Sequence, residues 1–199
     1  MAPPVHPTFT CEVCVLAGGL SKRMGLNKSR LRLGPRTMLG QIRAAASEIG
    51  LSVRVIRRDL VPRCGPLGGI FTGLTTSRTE TVLFLACDMP FVSAELLGRM
   101  LQGFDTARRA RFVREGGWAG FPFLLRRYAL PVVANQIAQT AFSLQQLAAR
   151  LKAQSVRLPR QLSRQLLNIN TPGDLKDARR RAELARERTR RPGRKQDQD

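Results

Sequence analysis

The residues with the clearest chemical meaning open a loop near the N-terminus: Leu16-Ala-Gly-Gly-Leu-Ser-Lys-Arg-Met-Gly-Leu-Asn-Lys28. An apolar run, Val13 to Ala17, reads as a buried strand leading into Gly18 and Gly19, and the loop then carries Lys22, Arg23 and Lys28. Glycine lets backbone N–H groups approach a ligand that a Cβ would hold away. Cations then neutralise charge that amides alone cannot. The pattern predicts a phosphate cradle, and a nucleoside triphosphate is its expected ligand. A second apolar run, Thr81 to Cys87, ends in Asp88. A carboxylate at the end of a buried strand, facing a phosphate cradle, suits Mg²⁺. That ion commonly takes one or two protein carboxylates, with phosphates and waters completing its octahedron. Arg23, Lys28 and Asp88 are the expected catalytic set, and Asp88 the expected metal ligand.

Other chemistry is nearly excluded. The single histidine, His6, lies in the N-terminal leader, so imidazole-based triads and histidine metal sites are not expected in the folded body. Cys11 and Cys14 form a C-x-x-C pair, but residues three apart on a strand point to opposite faces. Buried strand cysteines are the better reading. The formal net charge is +20, and residues 176–199 account for a surplus of only five. The basic residues are scattered rather than blocked, and aromatics make up 6% of the chain. Nucleic acid is therefore not expected as the main partner. No apolar run is long enough for a membrane span, and no secretory signal is evident. A cytoplasmic location is the expectation.

These groups must be positioned by a sheet. Strand and helix patterns alternate, predicting an α/β fold: a single Rossmann-like domain with a mostly parallel twisted sheet and helices on both faces. The first strand is expected at 12–17, a helix capped by Thr37 at 37–49, and a second strand at 52–57. Cys64 to Gly69 should turn into a short helix reaching Thr76. Strand 81–87 is followed by a helix capped by Ser93. Residues 110–125 should hold one or two strands around Gly116-Gly117, with a helix from about Arg126. Ser143 should cap another helix. Short strands are expected at 155–158 and 166–169, and Thr171-Pro-Gly-Asp174 should open the last helix, fraying beyond about Arg188. Parallel sheets bind ligands at the carboxyl ends of their strands, where Gly18 and Asp88 both fall.

Four segments together resemble one family: Leu16-Ala-Gly-Gly-x-Ser-x-Arg-Met-Gly25 with Lys28, Gly65-Pro-Leu-Gly-Gly69, Cys87-Asp-Met-Pro-Phe91, and Asn168-Ile-Asn-Thr-Pro-Gly-Asp-Leu175. They are similar to the molybdenum cofactor guanylyltransferases, within the wider nucleotidyltransferase group. The resemblance spans about residues 12–180. It implies a Mg²⁺-dependent transfer of GMP from GTP to molybdopterin cofactor, with release of pyrophosphate. It implies nucleotide contacts from Leu16, Ala17, Gly18, Gly19, Lys28, Asp59 and Asp88, and it places Asn168 and Asn170 on the pterin side. Three departures stand out: Asn27-Lys28 where the family often has Asp-Lys, Phe121-Pro122 in place of His-Pro, and a short stretch between Ile49 and Gly65.

The implied partners are GTP and the molybdopterin cofactor, with molybdoenzymes or cofactor-insertion proteins as recipients. The expected layout is a disordered leader at 1–10, the nucleotidyltransferase domain at 11–188 and a basic, disordered tail at 189–199. Two alternatives stand beside this reading: a CTP-dependent cytidylyltransferase for the same cofactor, and a non-catalytic basic protein binding nucleotide or nucleic acid on the same fold.

Overall fold

The structure, a computed structural model, describes residues 9–18, 31–105 and 107–190. Gly19, Arg23 and Lys28 of the expected site lie outside the described residues, as do 1–8 and 191–199. The centre is a six-stranded sheet of β1 (Cys11–Leu16), β4 (Val53–Ile56), β5 (Thr81–Ala86), β6 (Ala110–Glu115), β7 (Trp118–Arg126) and β8 (Gln154–Val156), in the order β4-β1-β5-β7-β6-β8. Five strands run one way and β7 runs against them, because the tight turn at Gly116-Gly117 returns β6 as an antiparallel hairpin. A small hairpin, β2 (Arg32–Leu33) with β3 (Arg36–Thr37), stands apart. The mostly parallel α/β sheet read from the sequence is what forms.

The alternation along β1 explains its two-sided burial. Val13 and Val15 face α1 (Met38–Glu48) and α3 (Ala94–Leu101), which supply Leu39, Ile42, Leu96 and Met100 to one core. Cys14 faces the other core with α2 (Pro66–Thr76), α4 (Leu130–Ala138) and α5 (Leu144–Arg150). Cys11 packs on the first side, so the C-x-x-C pair splits across the sheet. Burial pushes both thiols up to about 12, which suits structural cysteines and not ligands. The Phe9 ring is buried edge-on against Phe104, 5.7 Å between centroids.

Helix starts follow their caps. The Thr37 hydroxyl accepts from Gly40 N at 3.0 Å, Ser93 from Leu96 N at 3.2 Å and Ser143 from Gln145 N at 3.2 Å. Thr171 and Asp174 cap α7 (Pro172–Arg190) reciprocally: Asp174 N donates to Thr171 Oγ1, and Thr171 N to Asp174 Oδ2. A short helix, α6 (Arg160–Ser163), precedes it. Two expectations need correction. Residues 166–169 form no strand; a 3₁₀ turn, Arg164–Leu166, leads into an irregular segment. The reason is that Ile169 is held by one hydrogen bond and by burial among Leu33, Met38 and Leu175, not by a ladder. The helix expected from Arg126 begins at Leu130, because Arg126 still pairs with Thr81 as the last residue of β7. Among the described residues, no helix is long and apolar enough to cross a membrane.

Gly98 sits inside α3, and a methyl group there would meet nothing within 4 Å. Glycine inside a helix costs about 0.5–1 kcal/mol relative to alanine. Gly98→Ala should therefore raise the unfolding free energy by about that amount in urea titrations; a loss of stability would show a neighbour that the packing does not contain.

Candidate active site

The strand order places β1 between β4 and β5, so the carboxyl ends of these three strands lie side by side. Their continuations are tied together. Leu16 O accepts from Cys87 N at 3.1 Å, and Ala17 N donates to Ile56 O at 2.8 Å. Gly18 follows β1, Asp59 follows β4 and Asp88 follows β5. Three of the expected nucleotide residues thus arrive at one edge from three different strands.

Asp59 is seated among glycines. A methyl group on Gly18 would stand 3.2 Å from Arg57 O and 3.4 Å from Asp59 Oδ1. One on Gly68 would stand 2.6 Å from Val61 O and 2.9 Å from Asp59 Oδ2, and one on Gly69 would reach 3.5 Å from Asp59 Oδ1 and 3.1 Å from a Leu16 methyl. The end of β1 and the first turns of α2 therefore close on the Asp59 carboxylate only because Cβ atoms are missing there. Sequence reasoning reads Gly65 to Gly69 as a turn; its role as a seat for Asp59 emerges only from the packing. Thr72 is a further residue that the sequence does not single out. Its hydroxyl accepts from Leu60 N at 2.8 Å and donates to Gly68 O at 2.8 Å, pinning the loop after Asp59 to α2. Burial raises the Asp59 pKa above the ordinary carboxylate value. The folded state thus holds the proton more tightly than the unfolded chain, and ionising Asp59 opposes folding as pH rises above the usual carboxylate range.

Asp88 is half buried in the turn after β5, between Cys87 and the buried Met89. Its carbonyl accepts from Ile169 N at 2.9 Å, which brings the Asn168-Ile-Asn170 segment beside it. Asn168 and Asn170 are both exposed there, and Asn170 N donates to Asp174 Oδ2 at 2.8 Å. The structure therefore brings together Leu16, Ala17, Gly18, Asp59, Asp88, Asn168 and Asn170. Phe121 falls in the irregular step of β7 between Gly120, which pairs with Val113, and Phe123, the last β7 residue to pair with β5 toward this edge. Its ring packs on Phe123 at 4.9 Å. Among the described residues there is no cluster of three or more His, Cys, Asp or Glu side chains able to hold a metal.

Toward the amino ends of these strands, opposite this edge, the scaffold carries a polar pair. Glu12 of β1 accepts from Arg54 Nη2 at 2.7 Å and Nε at 3.1 Å, and from the Ser77 hydroxyl, while Arg54 also donates to Gly73 O and Thr76. Burial alone would raise the Glu12 pKa, but the hydrogen bonds from Arg54 and Ser77 outweigh it and hold the group below its ordinary value. This network joins β1, β4 and α2 and fixes their relative positions.

Comparison with known proteins agrees with this architecture. The chain is 30% identical over 180 residues to a probable molybdenum cofactor guanylyltransferase of Carboxydothermus hydrogenoformans, covering 81% of this chain and 91% of that one. It is 30% identical over 191 residues to a molybdenum cofactor guanylyltransferase of Pseudomonas putida, covering 84% and 96%. The fold is shared with molybdopterin-guanine dinucleotide biosynthesis protein A of Archaeoglobus fulgidus, with a TM-score of 0.66 at 21% identity over 87% of this chain and 99% of that one. It is shared too with a 2-C-methyl-D-erythritol 4-phosphate cytidylyltransferase of Thermus thermophilus, with a TM-score of 0.61 at 18% identity over 88% and 98%. Residues 13–158 match the MobA-like NTP transferase domain, and the chain belongs to that family of nucleotidyltransferases.

Proposed function

We propose that this protein transfers GMP from GTP to the terminal phosphate of the molybdopterin cofactor, giving the guanine dinucleotide form and pyrophosphate. The observation that carries the reading is the meeting of Gly18, Asp59 and Asp88 at one sheet edge, with the Asn168–Asn170 segment bonded to the Asp88 main chain. The relatives named as guanylyltransferases support the choice of nucleotide and acceptor.

The chemistry requires no histidine. The acceptor is a phosphate oxygen, largely anionic at neutral pH because the second pKa of a phosphomonoester is about 6. Its oxygen attacks the α-phosphorus of GTP, the bond from that phosphorus to the β-bridging oxygen breaks, and pyrophosphate leaves with the electron pair. No general base or covalent enzyme intermediate is needed; the protein aligns two anions and neutralises charge on the leaving group. Leu16, Ala17, Gly18 and Gly19 supply backbone to the nucleotide, and Arg23 and Lys28 supply positive charge to the phosphates. Asp59, an acceptor seated by glycines, suits the N1–H and 2-amino donors of guanine, which cytosine does not offer in that arrangement. Asp88 would hold Mg²⁺, which, when bound, supplies positive charge to the triphosphate. Asn168 and Asn170 contact the pterin side.

Purified protein with Mg²⁺, the molybdopterin cofactor and each nucleoside triphosphate in turn tests this by pyrophosphate release. GTP should be strongly preferred, and Asp59→Asn should weaken GTP use about tenfold or more, on the scale of a lost hydrogen bond to a charged group, while leaving thermal stability equal or higher. Preference for CTP would make the chain a cytidylyltransferase. Salt-sensitive DNA binding without pyrophosphate release would make it a binding protein.

A further inference from the structure

Among the described residues two arginines are buried, and they are treated very differently. Arg111, 3% exposed, donates to Gln154 Oε1 and to the carbonyls of Met100, Gln102 and Gly103, so every guanidinium nitrogen is used. Arg126, 4% exposed, has neither Nε nor Nη2 hydrogen-bonded among the described residues. Its remaining nitrogen lies 3.6 Å from Glu80 Oε2, on a side chain that is 65% exposed. The rings of Phe9 and Phe104 cover the guanidinium at 4.4 and 5.3 Å. Buried donors left without acceptors are costly, and an unseen ion is a standard reason for keeping one. Nε and Nη2 also form the edge of the guanidinium that grips two oxygens of one anion.

The surroundings point the same way. Arg126 lines a cavity of about 420 Å³ together with Arg78, Thr79, Glu80, Arg127 and Tyr128. Three arginines against one glutamate leave this cavity doubly positive, a match for a divalent oxyanion rather than for a single carboxylate. Arg127 is braced by its bond to Ser77 O at 3.3 Å, while Arg78 is exposed at the rim. The cavity is remote from the active site. Arg126 pairs with Thr81, the first residue of β5, and Asp88 follows the last, so about 20 Å of strand separates them.

We propose that the end of the sheet opposite the glycine loop carries a second anion site, in which Arg126 takes phosphate or pyrophosphate and Arg78 and Arg127 supply the balancing charge. Glu80 competes for the same guanidinium and sets the affinity. The site does not depend on the proposed activity, since none of its residues belongs to the active edge.

The test is NMR on the full-length ¹⁵N-labelled protein, following the Arg126 Nε–H resonance and the amides of residues 79, 80, 127 and 128. Inorganic phosphate, pyrophosphate and, as control, acetate are titrated at fixed ionic strength. Phosphate or pyrophosphate should shift these signals saturably and acetate should not; the tighter of the two identifies the ligand. Arg78→Ala should weaken binding roughly tenfold and Glu80→Gln should tighten it severalfold. Asp88→Ala should leave it unchanged. Arg126→Met should abolish it, and if that variant does not fold, the two exposed variants decide. Absence of a saturable shift, or an affinity indifferent to both Arg78→Ala and Glu80→Gln, overturns the proposal.

Discussion

Asp88→Ala should lower the turnover of guanylyl transfer by at least about a hundredfold and leave a folded protein. Removing one group that stabilises charge in a transition state typically costs about 2.7–4 kcal/mol of barrier. Asp88 is the sole acid of the Cys87-Asp-Met-Pro-Phe91 turn, so no neighbour on that turn can replace it. The turn itself has other anchors. The Asp88 carbonyl, which alanine retains, receives Ile169 N–H, and Met89 and Val92 are buried beneath it. Saturating GTP and molybdopterin cofactor, with pyrophosphate as the readout, measures the turnover, and thermal unfolding monitors the fold. Activity within tenfold of the parent removes Asp88 from the mechanism. A matching collapse of stability would make the loss structural, and the isosteric Asp88→Asn then separates charge from shape.

The parts of this fold legible in the sequence are those governed locally. β1 and β5 show as apolar runs because both faces of a central strand are covered. Thr37, Ser93, Ser143 and Thr171 show as caps because a hydroxyl three residues before an apolar helix face has one obvious use. Asp88 is legible because a lone acid closes an apolar strand. Features set by tertiary packing are not. Ile169 sits in an apolar stretch like a strand, yet its partner is the turn carbonyl of Asp88, 81 residues away in sequence. Arg126 looks like the start of a helix until Thr81 claims it as a strand residue. Glu12, an acid inside the first strand, gives no hint of Arg54 and Ser77 waiting across the sheet. The glycines of α2 are visible as a motif, but the sequence does not say that they hold Asp59 on one side and meet the core on the other.

That division of labour along α2 makes a paired prediction. A methyl group on Gly73 would stand 2.6 Å from Phe84 Cε1 and 3.1 Å from Cys14 Sγ. Phe84 is fully buried and stacked on Phe123 at 5.2 Å, so it has no room to yield. Gly73→Ala should cost about 1–3 kcal/mol through overpacking, lowering the melting temperature by several degrees with the KM for GTP little changed. Gly68 faces the loop instead. Its methyl would meet Val61 O at 2.6 Å and Asp59 Oδ2 at 2.9 Å, and the hydroxyl of Thr72 ties that same loop to the helix through Leu60 N and Gly68 O. The loop must swing outward, and its neighbours Arg57, Arg58 and Leu60 are exposed, so the fold tolerates the movement. Gly68→Ala should therefore raise the KM for GTP about tenfold or more, the scale of losing a hydrogen bond to a charged group, with a melting temperature near the parent's. The two variants differ by five residues on one helix and by a single methyl group each, yet one should fail in stability and the other in nucleotide binding. A Gly68→Ala protein that binds GTP as tightly as the parent would show that the Asp59 carboxylate does not touch the nucleotide.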